Sequence, residues 1–253
     1  MLDFMNEFED FEDKVALVTG GGRGIGAAVA VRLAAGGAQV VLTYERDAER
    51  ARSVTDRIEA LGRKALAIRA DSADTDAVTG AVDEAVAAFG RLDILVNNAA
   101  VFHVAPIEDL GPAEVDRTLA VNVRAPYTAA RAAARHMTGG GRIISVGSNI
   151  AERTAFPGFT LYALSKTALI GMTKGLAREL GPRGITANLV SPGPTDTDMN
   201  PADGPNADMI RSFTALGRYA EPEEIAATVA HLAGAGGRYI TGATIHVDGG
   251  FTV

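Results

Sequence analysis

Lys14-Val15-Ala16-Leu17-Val18-Thr19-Gly20-Gly21-Gly22-Arg23-Gly24-Ile25-Gly26 is the stretch whose reading decides the fold. Its first six residues are largely apolar and β-favouring, and they run straight into glycine, so Lys14 to Thr19 reads as a short buried strand. Ala27 to Ala35 reads as an apolar helix stopped by Gly36-Gly37. Strand, glycine loop and helix in this order suit a dinucleotide. Glycines let backbone N–H groups approach a pyrophosphate, and the helix N-terminus adds partial positive charge. A glycine run alone is equally a flexible turn, so the flanking strand and helix carry the reading. The spacing, Gly20-x-x-x-Gly24-x-Gly26, is looser than the G-x-G-x-x-G pattern.

Outward from this unit, strand and helix signals alternate. Strands are expected at 39–43, 65–69, 92–97, 142–146, 186–190 and 243–247. Helices are expected at 47–61, closed by Gly62, from an Asp74 cap to Phe89, at 160–180 and at about 222–232. Residues 114–137 read as one long helical stretch in which Pro126 imposes a kink or break. Such alternation predicts an α/β fold, one doubly wound parallel sheet with helices on both faces. There is no internal repeat and no linker to a second domain. Residues 1–13 read as an acidic tail and 14–253 as a single domain. Within it, 192–216, with Pro194, Pro201 and Pro205, reads as a lid over a substrate site.

Composition narrows the function. The chain has 253 residues, 47% hydrophobic, enough for one large α/β core. No apolar run reaches the length of about 18 residues that a membrane span needs, and the start lacks the pattern of a secretory signal. Cysteine is absent, so disulfides and thiolate chemistry are excluded, which fits a cytoplasmic protein. A net charge of −7 without a compact basic patch argues against nucleic acid as partner. The four histidines form no metal-ligand spacing, so no metal is expected.

Tyr162 and Lys166 stand four residues apart on an expected helix and face the same way. A phenol titrates at about 10 and is a poor acid or base near neutrality. A neighbouring ammonium would draw that value down, making the pair an acid/base device. Alone, the two residues could also be an ordinary helical Tyr and Lys.

Thr19-Gly20-x-x-x-Gly24-x-Gly26, Asn97-Asn98-Ala99, Asn122, Ser148, Tyr162-x-x-x-Lys166 and Pro192-Gly193 occur in this order. Together they resemble the short-chain dehydrogenase/reductase family over nearly the whole chain, from about Phe11 to Val253. Ile143 to Ser148 and Gly184 to Asn188 are most similar to the 3-oxoacyl-[acyl-carrier-protein] reductase-like ketoreductases. The resemblance implies a Rossmann-type sheet, a homotetramer and four catalytic positions. Tyr162 would exchange a proton with the substrate oxygen, and Ser148 would hold that oxygen. Lys166 would depress the Tyr162 pKa and bind the nicotinamide ribose, and Asn122 would anchor a relay water. Cofactor contacts are implied at Gly20, Arg23, Gly24, Ile25, Gly26, Tyr44, Arg46, Asp71, Ser72, Asn98, Ala99, Ala100, Tyr162, Lys166, Pro192, Gly193, Thr195 and Thr197. Asp71 matches a position that bonds the adenine amine. Ala100 departs from the family's usual Gly, which narrows backbone freedom there.

Cofactor choice turns on charge. An acid closing the second strand would bind both ribose hydroxyls and repel a 2′-phosphate. That place holds Tyr44, while Arg23 and Arg46 could pair with a phosphate, which favours NADPH over NADH. Glu45 points the other way. Val101, Ile150, Phe156, Phe159 and Met199, with His103, Ala151 and Glu152, would surround a mostly apolar carbonyl pocket. The expected activity is an NADPH-dependent carbonyl reductase acting on a small-molecule carbonyl. The alternatives are an NAD-dependent secondary-alcohol dehydrogenase and a nucleotide-sensing protein on the same scaffold.

Overall fold

Parallel pairing organises the chain in the computed structural model, which describes residues 11–253. Strand β1 (Val15–Val18) lies between β2 (Gln39–Tyr44) and β4 (Ile94–Asn97), with Val18 opposite Leu42 on one side and Val96 on the other. Strands β3 (Ala65–Arg69), β5 (Arg142–Val146), β6 (Thr186–Pro192) and β7 (Thr244–Val247) complete a seven-stranded sheet of order β3-β2-β1-β4-β5-β6-β7. Every pairing is parallel. β1, β4 and β6 are buried along their whole length because helices cover both faces, which is why β1 reads as an unbroken apolar run.

One face is covered by α1 (Gly24–Ala35), α2 (Ala48–Ala60) and α8 (Pro222–Ala233), whose Leu33, Ile58, Ile225 and Val229 are fully buried. The other is covered by α3 (Thr75–Phe89), α5 (Ala125–His136) and α6 (Thr160–Leu180). The chain winds outward from β1 in both directions. The loops after β1 and β4 therefore diverge, opening a crevice at the carboxyl ends of the strands, where ligands of such sheets bind.

Three expectations are adjusted. Phe11, assigned to the tail, is 1% exposed and its N–H donates to Gly36 O at 2.8 Å, so the domain includes it; residues 1–10 of that tail lie outside the described residues. The stretch 114–137 divides into α4 (Pro112–Leu119), a π turn (Ala120–Arg124) and α5. The irregularity immediately precedes Pro126, which has no N–H to carry the helical ladder from the π turn into α5. The segment 192–216 is not a bare loop. It carries the end of β6, bridges Thr195–Ala220 and Thr197–Asn200, and a short helix α7 (Ala207–Ser212).

Candidate active site

Helix α6 delivers Tyr162 and Lys166 from its buried stripe, which runs Tyr162, Ser165, Lys166, Leu169, Thr173 and Ala177 at helical spacing. Lys166 is 3% exposed, and its Nζ donates to Val146 O at 3.0 Å and lies 5.6 Å from the Tyr162 ring centre. Ser148 follows β5 in extended backbone, with its Oγ accepting from Ile150 N–H at 3.3 Å, and it lies close enough to Tyr162 to lower the phenol's pKa. Burial pushes the Tyr162 phenol up to about 12, against the lowering influence of Ser148. Burial also brings the Lys166 ammonium down to about 8. In the protein by itself desolvation therefore dominates the Tyr162 phenol, whatever the neighbouring ammonium contributes. Both groups are desolvated, each charged form is penalised, and the Lys166 proton is turned to a backbone carbonyl. At neutral pH Tyr162 is a phenol and Lys166 is still mostly an ammonium.

Asn122 lies in the π turn, whose i→i−5 bond from Ala125 N–H to Ala120 O widens the helix. Its Oδ1 accepts from Val101 N–H at 2.9 Å, and its Nδ2 donates to Val101 O at 3.0 Å and Ser165 Oγ at 3.1 Å. The side chain is thereby committed to fastening the loop after β4 to α6. π turns are frequently found at functional sites, and here the turn brings Asn122 to Ser165, whose Oγ in turn donates to Tyr162 O at 2.8 Å.

The crevice is a cleft of about 1140 Å³. Of the sequence-expected cofactor positions, Gly20, Arg23, Gly24, Ile25, Gly26, Tyr44, Arg46, Ser72, Asn98, Ala99, Ala100, Pro192, Gly193, Thr195 and Thr197 line it, with Tyr162 and Lys166. Gly20 takes φ 63°, a left-handed conformation that favours glycine. A Cβ at Gly26 would press against Asn98 Nδ2 and stand 2.5 Å from Gly20 O, so only glycine lets helix and strand approach this closely. Asn98 Nδ2 donates to Thr19 O at 3.0 Å and Gly20 O at 3.1 Å, and Thr19 Oγ1 accepts from the N–H groups of Asn98 and Ala99. These bonds staple the glycine loop to β4. Ala100 replaces glycine without strain: among the described residues only Asp13 has positive φ outside glycine.

Two acidic positions are neutralised within the protein. Asp71 is not among the residues lining the cleft; Arg117 binds both its oxygens, at 2.8 and 2.9 Å, and holds its carboxyl below the usual range. Ala70 and Ser72, on either side of it, do line the cleft. Glu45 pairs with Arg46 at 3.0 Å and with Arg117 at 3.1 Å. Its charge, which pointed toward NADH, is therefore spent on neighbouring arginines. Among the described residues no group of three or more His, Cys, Asp or Glu is placed to hold a metal ion.

The family profile described as "Enoyl-(Acyl carrier protein) reductase" matches residues 20–252. The chain belongs to the short-chain dehydrogenase/reductase family. By that membership it is an NAD(P)-dependent oxidoreductase. It is similar, at 57% identity and TM-score 0.95 over 96% of this chain and 99% of the other, to a short-chain dehydrogenase from Burkholderia cenocepacia J2315 solved in complex with NADP. It is 44% identical over 95% of its length, and 98% of the relative's, to the cyclic-di-GMP-binding biofilm dispersal mediator protein of Escherichia coli (strain K12). It is 40% identical to versicolorin reductase stcU of Emericella nidulans, over 94% of this chain and 96% of that one.

The reductase cleft continues past Tyr162 along an aromatic row. Phe102 meets Tyr162 edge-on at 4.8 Å and Phe159 at 5.8 Å; Phe156 bridges Phe159 at 5.9 Å to Phe213 at 5.0 Å and Phe251 at 6.4 Å. Val101, Ile150, Phe156, Phe159 and Met199 line the cleft with His103, whereas Ala151 and Glu152 do not. Both lie at the end of a short 3₁₀ turn that points them away, Glu152 toward His246 at 4.0 Å. His103 Nδ1 is 2.9 Å from Thr118 Oγ1. Sequence reasoning missed Phe102, Phe251, Arg50 and Asp198, all of which line the cleft. Phe102 was legible as the neighbour of Val101. The other three reach the cleft only through the tertiary fold.

Proposed function

We propose that this protein is an NADPH-dependent carbonyl reductase, and the observation that carries the reading is the buried Tyr162 phenol beside Ser148 and Lys166. A phenol held at about 12 keeps its proton at neutral pH and can donate it to a carbonyl oxygen as negative charge develops there. Ser148 holds that oxygen with its hydroxyl. The Lys166 ammonium, 5.6 Å from the Tyr162 ring centre, would offset part of the charge that develops on the phenol oxygen as its proton leaves. The Asn122 amide is occupied by Val101 and Ser165, so its side chain acts by fixing the loop after β4 against α6. NADPH, when bound, supplies the hydride.

The donor set fits that cofactor. The Gly20–Gly26 loop is a cradle that a side chain at Gly26 would fill, Lys166 is positioned to serve a ribose hydroxyl, and the arginines at the Tyr44 end suit a 2′-phosphate. The relative solved with NADP supports this choice. The aromatic row from Phe102 to Phe251 favours a flat aryl ketone, with ring faces and edges stacking against the phenylalanines. As in family members generally, we propose a homotetramer.

A second reading, nucleotide sensing without turnover, draws on the 44% identity to the cyclic-di-GMP-binding relative. Tyr162→Phe separates the two. The test is NADPH oxidation at 340 nm against aryl ketones, quinones and β-keto esters, alongside calorimetric titration with NADPH and with cyclic-di-GMP. Loss of turnover by ~100-fold or more with NADPH binding retained supports the reductase. Binding of cyclic-di-GMP with no turnover in the unsubstituted protein would replace it with the sensing reading.

A further inference from the structure

Four arginines stand near the Tyr44 end of the cleft, and they fall into two pairs. Arg46 and Arg117 are occupied with Glu45, and Arg117 also with Asp71. Arg23 and Arg50 converge elsewhere. Arg50, in the first turn of α2, hydrogen-bonds Oδ2 of Asp198 through Nη1, and Arg23 Nη1 of the glycine loop lies 3.8 Å from the same oxygen. Asp47, which caps α2, is 3.3 Å from Arg50 Nε and leaves Nη1 to Asp198. Asp198 comes from the lid segment, and its neighbour Thr197 places a methyl 3.3 Å from where a Cβ at Gly24 would stand. The lid therefore lies across the glycine loop, and its carboxylate is gripped by two guanidinium groups inside the cleft wall.

We propose that Arg50, together with Arg23, forms the seat for the 2′-phosphate of the cofactor, and that Asp198 competes for that seat as an internal anion. The inference rests on the NADPH reading above. It replaces Arg46, whose side chain is 84% exposed and turned to Glu45, by Arg50 as the second phosphate arginine.

The chemistry favours exchange. Arg50, Arg23 and Asp198 have side chains 52, 54 and 51% exposed, so water screens the carboxylate pairing and leaves it weak. A phosphate monoester brings up to two negative charges and three acceptor oxygens, enough to engage both guanidinium groups at once. NADH has a hydroxyl in that place and cannot displace Asp198 from the arginines. Selectivity then arises from both sides. The phosphate gains two cations, and the cofactor lacking it leaves the lid pinned to the loop.

The experiment is calorimetric titration of the full-length protein with NADPH and with NADH, comparing the unsubstituted chain with Arg50→Ala, Arg50→Lys and Asp198→Asn. Arg50→Ala is expected to lower the NADPH:NADH affinity ratio by ~10-fold or more, the loss of a charge-assisted contact. Arg50→Lys should restore part of it, since the charge returns without the fork geometry. Asp198→Asn should tighten NADPH by several-fold and raise the ratio. The inference is overturned if Arg50→Ala leaves the ratio within ~2-fold. A fall in both affinities together would also overturn it, because that marks a structural role at the start of α2. Weaker NADPH binding in Asp198→Asn would show a latch on bound cofactor and refute the competition. An unsubstituted protein that prefers NADH would instead sink the NADPH reading beneath it, a result visible before any variant is made.

Discussion

Replacing Lys166 by Met should abolish reduction and yet change stability in a way that only a buried ammonium explains. Lys166 is 3% exposed, and burial takes its ammonium from 10.5 to about 8. At 1.36 kcal/mol per pKa unit, keeping that charge inside the fold costs roughly 3 kcal/mol below pH 8. Met has similar length and no charge to desolvate, so it recovers this cost. Against it stands the bond from Lys166 Nζ to Val146 O, whose loss leaves a buried carbonyl unpaired at a cost of about 1 to 3 kcal/mol. The net difference at pH 7 is therefore about zero to 2 kcal/mol in favour of the variant. The sign of its pH dependence is firmer. A lowered folded-state pKa means the unfolded chain binds the proton more tightly, so the unsubstituted protein gains stability from about pH 8 to 10.5 while the variant does not. Urea unfolding of both proteins at matched concentration, at pH 7, 9 and 10.5, measures this directly. The variant's advantage should shrink by roughly 3 kcal/mol across that window. A gap that stays constant with pH would refute the buried ammonium.

Two further outcomes follow from the same geometry. The reduction rate with saturating NADPH should be flat through neutrality and fall above about pH 8, as Lys166 loses the proton that supports the Tyr162 phenolate; a kcat–pH profile that rises there would contradict the assignment. Gly26→Ala should weaken NADPH binding by ~10-fold or more and lower stability by roughly 1 to 3 kcal/mol, because its Cβ meets Gly20 O at 2.5 Å; fluorescence titration and thermal melting check both.

Much of the site was legible because its signals are local. The glycine loop needs residues without side chains between a strand and a helix, and that requirement is written in consecutive residues from Val15 to Ala35. Tyr162 and Lys166 share one face of α6 by helical spacing alone. The protonation states were not legible, because the sense of the Tyr162 shift depends on how fully the phenol and ammonium are desolvated. Nor was Asp71's occupation: its partner Arg117 lies 46 residues away and arrives through α4. Pro126 correctly announced an irregular helix, but the break falls at Ala120–Arg124, where Asn122 is tied to both Val101 and Ser165.

The sequence by itself determined the parallel α/β architecture, the order of its elements, the glycine cradle and the four proposed catalytic residues. Periodicity and backbone freedom act over a few residues and leave a direct trace in the chain. Only the tertiary structure decided which charges meet. Arg50 and Asp198 are 148 residues apart, and nothing local to either distinguishes it from a solvated surface charge. They meet because the sheet winds outward from β1 in both directions and so brings the start of α2 and the segment after β6 to the same end of the molecule. Charge pairing at that crevice is a property of the fold's topology.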